Sequence, residues 1–195
     1  MCAQSQPDPH RWTAPDALAG FGVALRPETP EDVPFLAALF ESVRWPAFDD
    51  SGWTDSFRRA FLAEQFRFQV AHYARACPDA VFLIVERRSV PIGRLYVHEA
   101  ASEHRIVDIS LLPEVRNQGL GGALLDMVCA AADRRGCLSS LHVEKFNRAR
   151  SLYRRKGFKP AGERGPYWLM IREPESRAAH EAPARPSADG QMSQR

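Results

Sequence analysis

The stretch LLPEVRNQGLGGALLDMVCAAADRRG, residues 111–136, sets Arg116 and three glycines, Gly119, Gly121 and Gly122, at the head of an amphipathic run. Glycine inside a helix costs about 1 kcal/mol against alanine, so its use here points to something approaching the backbone closely. The first N–H groups of a helix lack partners inside it, and the helix dipole adds positive potential at the same place. Backbone stripped of side chains there suits a pair of linked phosphates. The plainer reading is a turn that only lets helix and strand pack closely. Two phosphate motifs are excluded. The dinucleotide pattern GxGxxG fails because Leu124 holds its third glycine position, and no Gly-Lys-Ser/Thr follows for a nucleoside-triphosphate loop.

Three further residues have types suited to proton chemistry. Asp108 is a charge inside the apolar segment RIVDISLL, placed by strand alternation on one face with Ile106 and Ser110. Glu144 lies in HVEKFN at the end of the next strand pattern, and Tyr153 lies in a short helical pattern after it. Each has a structural reading too: a paired acid for Asp108, a half-buried packing tyrosine for Tyr153.

The elements that must position these residues follow from periodicity. FGVALRP reads as a first strand closed by Pro27, and TPEDVPFLAALFESVR as a helix with Thr29 as N-cap and Pro30 at its first position. A loop with Trp45 and Trp53 leads to a long helix whose seam, Leu62, Phe66, Val70, Tyr73 and Cys77, steps by helical spacing. AVFLIVERR and VPIGRLYVHE read as a hairpin, and HRIVDISLL as the next strand. The glycine-headed helix buries Leu120, Leu124, Met127, Val128 and Ala131 and stops at Gly136. LSSLHV is a strand, NRARSLYRRKG a short helix capped by Asn147 and stopped by Gly157, and FKPAG and YWLMIRE are closing strands. That order predicts an α/β chain with a mixed sheet and helices packed on it.

Arg116-x-x-Gly119-x-Gly121, directly after a strand ending Leu-Leu-Pro, and Asn147-x-Ala149-x-x-Leu152-Tyr153-x-x-x-Gly157-Phe158 downstream resemble two motifs of the GNAT superfamily of N-acetyltransferases. The element order resembles that family's fold from about residue 20 to 173. The resemblance implies a mixed, mostly antiparallel sheet of about seven strands flanked by about four helices. It implies acetyl-coenzyme A as co-substrate and a primary amine as acceptor, attacked directly in a ternary complex without a covalent enzyme intermediate. Its diphosphate falls to N–H groups from Arg116 through Asn117, Gln118, Gly119, Leu120, Gly121 and Gly122. Its pantetheine arm falls to exposed backbone at Leu111 and Leu112, where neighbouring strands part, with Asn147 as a further cofactor contact.

The chemistry asks for two more groups. An amine of pKa near 10.4 is almost entirely protonated at neutral pH, so a carboxylate, or a water held by one, must help it attack. Asp108 is the first candidate, approximating the family's glutamate on this strand, and Glu144 is the rival. The departing thiolate wants a proton, and a phenol still protonated at neutral pH supplies one; the family places Tyr153 there. A non-catalytic acyl-coenzyme A binding or sensing module on the same fold is the alternative.

On the acceptor side the long helix carries a second face, Phe61, Gln65, Phe68 and His72, which could line a pocket or pack against another subunit. Which amine is acetylated, and whether the chain is a monomer or a homodimer, stays open. A net charge of +2 over 195 residues argues against nucleic acid as main partner. The cluster Arg148, Arg150, Arg154, Arg155 and Lys156 reads as a solvated face, without aromatics for base stacking. No run nears the roughly 20 apolar residues of a membrane span, and the start lacks the layout of a secretory signal. Cys2, Cys77, Cys129 and Cys137 show no metal spacing and read as free thiols, which points to a cytoplasmic protein. His98 and His104 lack a convincing metal set, so no metal is expected. Residues 1–19 read as a flexible N-terminal extension, 20–173 as the acetyltransferase domain and 174–195 as a disordered tail.

Overall fold

The computed structural model describes Trp12 and residues 16–175. A one-turn helix α1 (Asp16–Ala19) precedes strand β1 (Val23–Pro27), then helices α2 (Val33–Arg44) and α3 (Asp55–Ala76). Strands β2 (Ala80–Arg87), β3 (Val90–Glu99) and β4 (Glu103–Leu111) follow, then α4 (Leu120–Arg135), β5 (Leu138–Glu144), α5 (Arg150–Arg155), β6 (Lys159–Arg164) and β7 (Tyr167–Arg172). They form one seven-stranded sheet in the order β1-β2-β3-β4-β5-β7-β6. Every pairing is antiparallel except β4 with β5. Parallel neighbours need a crossover, and α4 supplies it. The expected mixed sheet is thus present, with α2 to α5 as the packed helices.

Each face of the sheet has its own core. On one side α4 lays its stripe of Leu120, Leu124, Met127, Val128 and Ala131 against Leu83, Leu95, Ile106, Leu141 and Met170. On the other, α2 and α3 enclose Leu36, Phe40, Leu62, Phe66 and Ile84. The connection into α2 begins with a 3₁₀ turn, Pro30–Asp32. Asp32 there accepts from the Thr29 amide at 2.8 Å and from both Arg26 terminal nitrogens at 2.7 and 2.6 Å. The Arg26 contact, then the Thr29 bonds, hold the Asp32 carboxyl down at about 2 against its cost of burial.

Two expectations change. Trp12 and Leu18 are 3 % and 0 % exposed within the α4-side core, so residues 1–19 are not a free flank throughout; the large apolar side chains in that polar stretch bury what the composition hides. The tail expected from residue 174 lies beyond Glu175 outside the described residues, and so does Cys2. In α3 the seam runs through Leu62 and Phe66, but Val70 is 48 % exposed and Cys77 follows the helix end at Ala76. Gln69 faces the sheet in place of Val70, recruited by a buried arginine that apolar periodicity cannot register. No helix among the described residues is long and apolar enough to cross a membrane.

Candidate active site

Strands β4 and β5 run together only from Glu103↔Leu138 to Ile106↔Leu141. Beyond, β4 continues to Leu111 on β3, and β5 continues to Glu144 on β7. The sheet is therefore split at the C-terminal ends of two parallel strands, and the β4 edge facing the split offers unpaired main chain. A bulge at Val107 separates Tyr96↔Asp108 from Val97↔Ile106. One extra residue moves the side chains beyond it to the other face. Ile106 enters the α4-side core while Asp108 and Ser110 face α3, so the shared face expected for all three is corrected. At Gly93, opposite Leu111, an added Cβ would come within 2.5 Å of the Ser110 carbonyl oxygen. Only glycine lets β3 close on the end of β4.

The glycine stretch lies at the same end. Gly119 is the N-cap of α4 in the left-handed region, φ 85°, and brings no capping side chain. Asn117, φ 59°, is left-handed as well. The first closed rung is Ala123 N–H to the Gly119 carbonyl at 3.1 Å, which leaves the amides of Leu120, Gly121 and Gly122 ahead of it. Asn117, Gln118 and Gly119 are exposed. The Arg116 amide is not available, because it donates to the Pro113 carbonyl. The Arg116 side chain folds back: Nε donates to the Leu111 carbonyl at 2.8 Å, and Nη2 is buried without a partner among the described residues. Leu112 N–H is likewise spent on the Ile92 carbonyl. The uncommitted amides thus start at Asn117, next in sequence to Arg116. That donor set fits a coenzyme diphosphate. Close packing is served by the same glycines: Gly121 faces Leu152 and Leu111, and Gly122 faces the Lys156 stem.

Asp108 is a saturated acid. Its carboxylate accepts from Arg94 Nη2 at 2.7 Å, Tyr73 OH at 2.8 Å and Ser110 Oγ at 2.7 Å. Arg94 is 3 % exposed. The structural reading of Asp108 as a paired acid is the one this geometry favours. Tyr153 is buried on α5 with its ring edge toward Phe158. Burial, and then the charge of Asp108, push its phenol up to about 12. Its hydroxyl donates to no protein group among the described residues, so it is protonated and free to donate. Glu144, at the open end of β5, is half-exposed and accepts from Arg44 of α2 at 2.6 Å. Asn147 Oδ1 accepts from the Ala149 amide at 2.8 Å. The N-cap itself is Ala149, so Asn147 braces the turn before α5 rather than capping it.

With that geometry in place, the acetyltransferase (GNAT) domain family matches residues 78–160. Residues 78–160 thus carry the match to the GNAT domain, and the described chain has the GNAT fold. Solved structures share the fold at low identity. PaiA N-acetyltransferase from Thermoplasma acidophilum, in complex with coenzyme A, is 20 % identical with TM-score 0.59 over 77 % of this chain and 98 % of that one. A GNAT family acetyltransferase from Elizabethkingia anophelis with acetyl-CoA bound is 16 % identical, TM-score 0.51, covering 78 % and 98 %. The ribosomal-protein-S18-alanine N-acetyltransferase from Escherichia coli is 19 % identical, TM-score 0.53, covering 82 % and 97 %. No curated protein matches the sequence.

Around the GNAT split, the structure gathers residues that sequence reasoning passed over. Arg94 also donates to Gln69 at 2.6 Å and lies over the rings of Tyr96 and Tyr73 at 5.0 and 6.0 Å. Tyr96 donates to Glu28, whose carboxyl is raised by burial. The one sequence signal was an arginine inside the apolar strand VPIGRLYVHE. On the acceptor side, Phe68 is exposed and Gln65 and His72 lie on the surface, while Phe61 packs against the α2–α3 core. A shallow groove of about 350 Å³ instead runs between Ala38, Glu41, Ser42, Trp45 and Pro46 of the α2 end and Pro113. Trp45 carries the guanidinium groups of Arg58 and Arg59 at 5.4 and 5.3 Å, while Trp53 stacks on Phe48. Of the basic set, Arg150 donates to the Lys145 carbonyl and Lys156 pairs with Asp126 at 2.5 Å.

Proposed function

We propose that this GNAT domain transfers the acetyl group of acetyl-coenzyme A to a primary amine by direct attack in a ternary complex. The observation that carries the reading is the coincidence, at one end of the molecule, of the β4–β5 split with the uncapped head of α4. The bound thioester supplies an activated acetyl group; the chain supplies everything else. Amides from Asn117 to Gly122 hold the diphosphate, helped by the orphaned Arg116 nitrogen. The β4 edge toward Leu111 offers main-chain groups to an extended arm, in the manner of an added strand.

For proton handling, Tyr153 is the acid, its phenol kept neutral by burial. Between the two carboxylates the geometry favours Glu144 as the group that takes the amine's proton, directly or through a water. It is reachable from solvent, whereas Asp108 already accepts from three donors. Asp108 then acts by holding the phenol neutral and the network rigid.

One experiment tests the reading. Acetyl-coenzyme A at about 100 times its dissociation constant stabilises a protein that binds it by about 2.7 kcal/mol. A rise in melting temperature with acetyl-coenzyme A, together with release of free thiol on adding an amine library, supports it. A melting curve blind to the cofactor overturns it.

A further inference from the structure

α2 ends beside the split, where its last turn lines a groove with one lip and bonds to the other. On one side Glu41, Ser42 and Trp45 face Pro113, which follows the end of β4. On the other, Arg44 reaches Glu144, the last residue of β5, at 2.6 Å. Because β4 and β5 are parallel, these two ends are neighbours at the mouth of the gap. Arg44 and Glu144 are each 40 % exposed, and pairs so open to water contribute little to stability. The pair therefore needs another explanation than holding the fold.

Resting on the acetyl-transfer reading, we propose that Arg44 and Glu144 form the recognition site for an acceptor that is a free α-amino acid. An ammonium arriving at Glu144 displaces the guanidinium. That would leave Arg44 short of an anion unless the acceptor brings one beside its amine. A carboxylate on the adjacent carbon does so, and a guanidinium binds it with two parallel N–H···O bonds. Two opposite charges in the resting pair are exchanged for two opposite charges on the ligand, so no charge is stranded. The groove beside Trp45, walled mainly by Ala38, Pro46, Pro113 and the indole, receives an apolar side chain. In the transfer step the amine nitrogen loses a proton to Glu144 and forms the bond to the acetyl carbon. The carbon–sulfur bond breaks, the thiolate takes the proton of Tyr153, and the second proton that the nitrogen sheds on becoming an amide restores the Tyr153 phenol.

The test uses the full chain with L-phenylalanine, L-phenylalaninamide and phenethylamine, a matched set that keeps, neutralises and removes the carboxylate. Acetyl-coenzyme A binding is measured in parallel by thermal shift. The expected result is kcat/KM for phenylalanine at least tenfold above both analogues. Arg44→Gln should erase that preference, through KM more than kcat, without altering the cofactor shift, and Arg44→Lys should restore part of it. Equal or better use of the amide, as an N-terminal peptide acceptor would give, overturns the proposal. So does absence of transfer to all three while the cofactor still binds. Absence of cofactor binding overturns the acetyl-transfer reading itself.

Discussion

Arg94 and Asp108 form a buried ion pair at 2.7 Å between α3 and the sheet, with Tyr73 and Ser110 completing the carboxylate's shell. Removing one partner of such a pair strands the other charge, which costs about 3–5 kcal/mol. Asp108→Asn should therefore lower stability in urea by several kcal/mol. At temperatures where it remains folded it should keep acetyl-transfer activity within about tenfold. Glu144→Gln should do the reverse: unchanged urea midpoint, and kcat/KM reduced about 10²–10⁴-fold. A folded Asp108→Asn protein with activity abolished would return the base role to Asp108.

Tyr153→Phe deletes one oxygen that has no partner among the described residues, so the fold should keep its stability to within about 1 kcal/mol. Acetyl transfer should fall about 10²-fold or more if the phenol is the acid. Single-turnover kinetics with acetyl-coenzyme A separate that loss from weaker binding. An undiminished rate would show that the phenol only packs.

The tyrosines also set an alkaline limit. Tyr153 rises to about 12 on burial, and Tyr73 and Tyr96 are raised as well, mainly by burial. An unfolded phenol ionises near pH 10, so above that pH the unfolded chain has lost protons that the folded one keeps. Stability is full below about pH 10 and falls as pH rises toward 12 and beyond, by up to about 1.4 kcal/mol per pH unit for each phenol. Urea midpoints measured from pH 8 to 11.5 read this directly. Replacing Tyr153 with Phe should reduce the slope.

At the head of α4, Gly121 and Gly119 should respond with opposite signs. A Cβ on Gly121 meets Leu152 and Leu111 only at ordinary contact distances, 3.7 and 3.9 Å. Gly121→Ala should therefore raise stability by up to about 1 kcal/mol while weakening acetyl-coenzyme A binding, measured by calorimetry, about tenfold. At Gly119, φ 85° strains any side chain, so Gly119→Ala should lower stability instead. Unweakened cofactor binding in Gly121→Ala would mean that this glycine serves packing alone.

Trp12 donates its indole N–H to Glu99 at 2.8 Å and meets His104 edge-on. Trp12→Ala should cost about 3–5 kcal/mol, the range for emptying a buried aromatic site. A chain beginning at residue 20 should lose still more, since Leu18 goes with it. Equal thermal stability of the full and shortened chains would show that the segment is dispensable.

Local features were legible in the residues. Gly119 and Gly136 bound α4 because few other residues tolerate the left-handed backbone at its two ends. The α4 stripe could be read because helical spacing alone decides which of its side chains share a face. The proposed anion cradle and Tyr153 were nameable because short motifs set them within a few residues of a helix end. Tertiary structure alone decided which partners each acid meets. The bulge at Val107 turns Asp108 toward Arg94, a partner 14 residues away; Glu144 meets Arg44 across 100 residues. No spacing rule within one strand reports such pairings, because a one-residue bulge reverses a face and an ion pair forms between whichever charges the fold brings together.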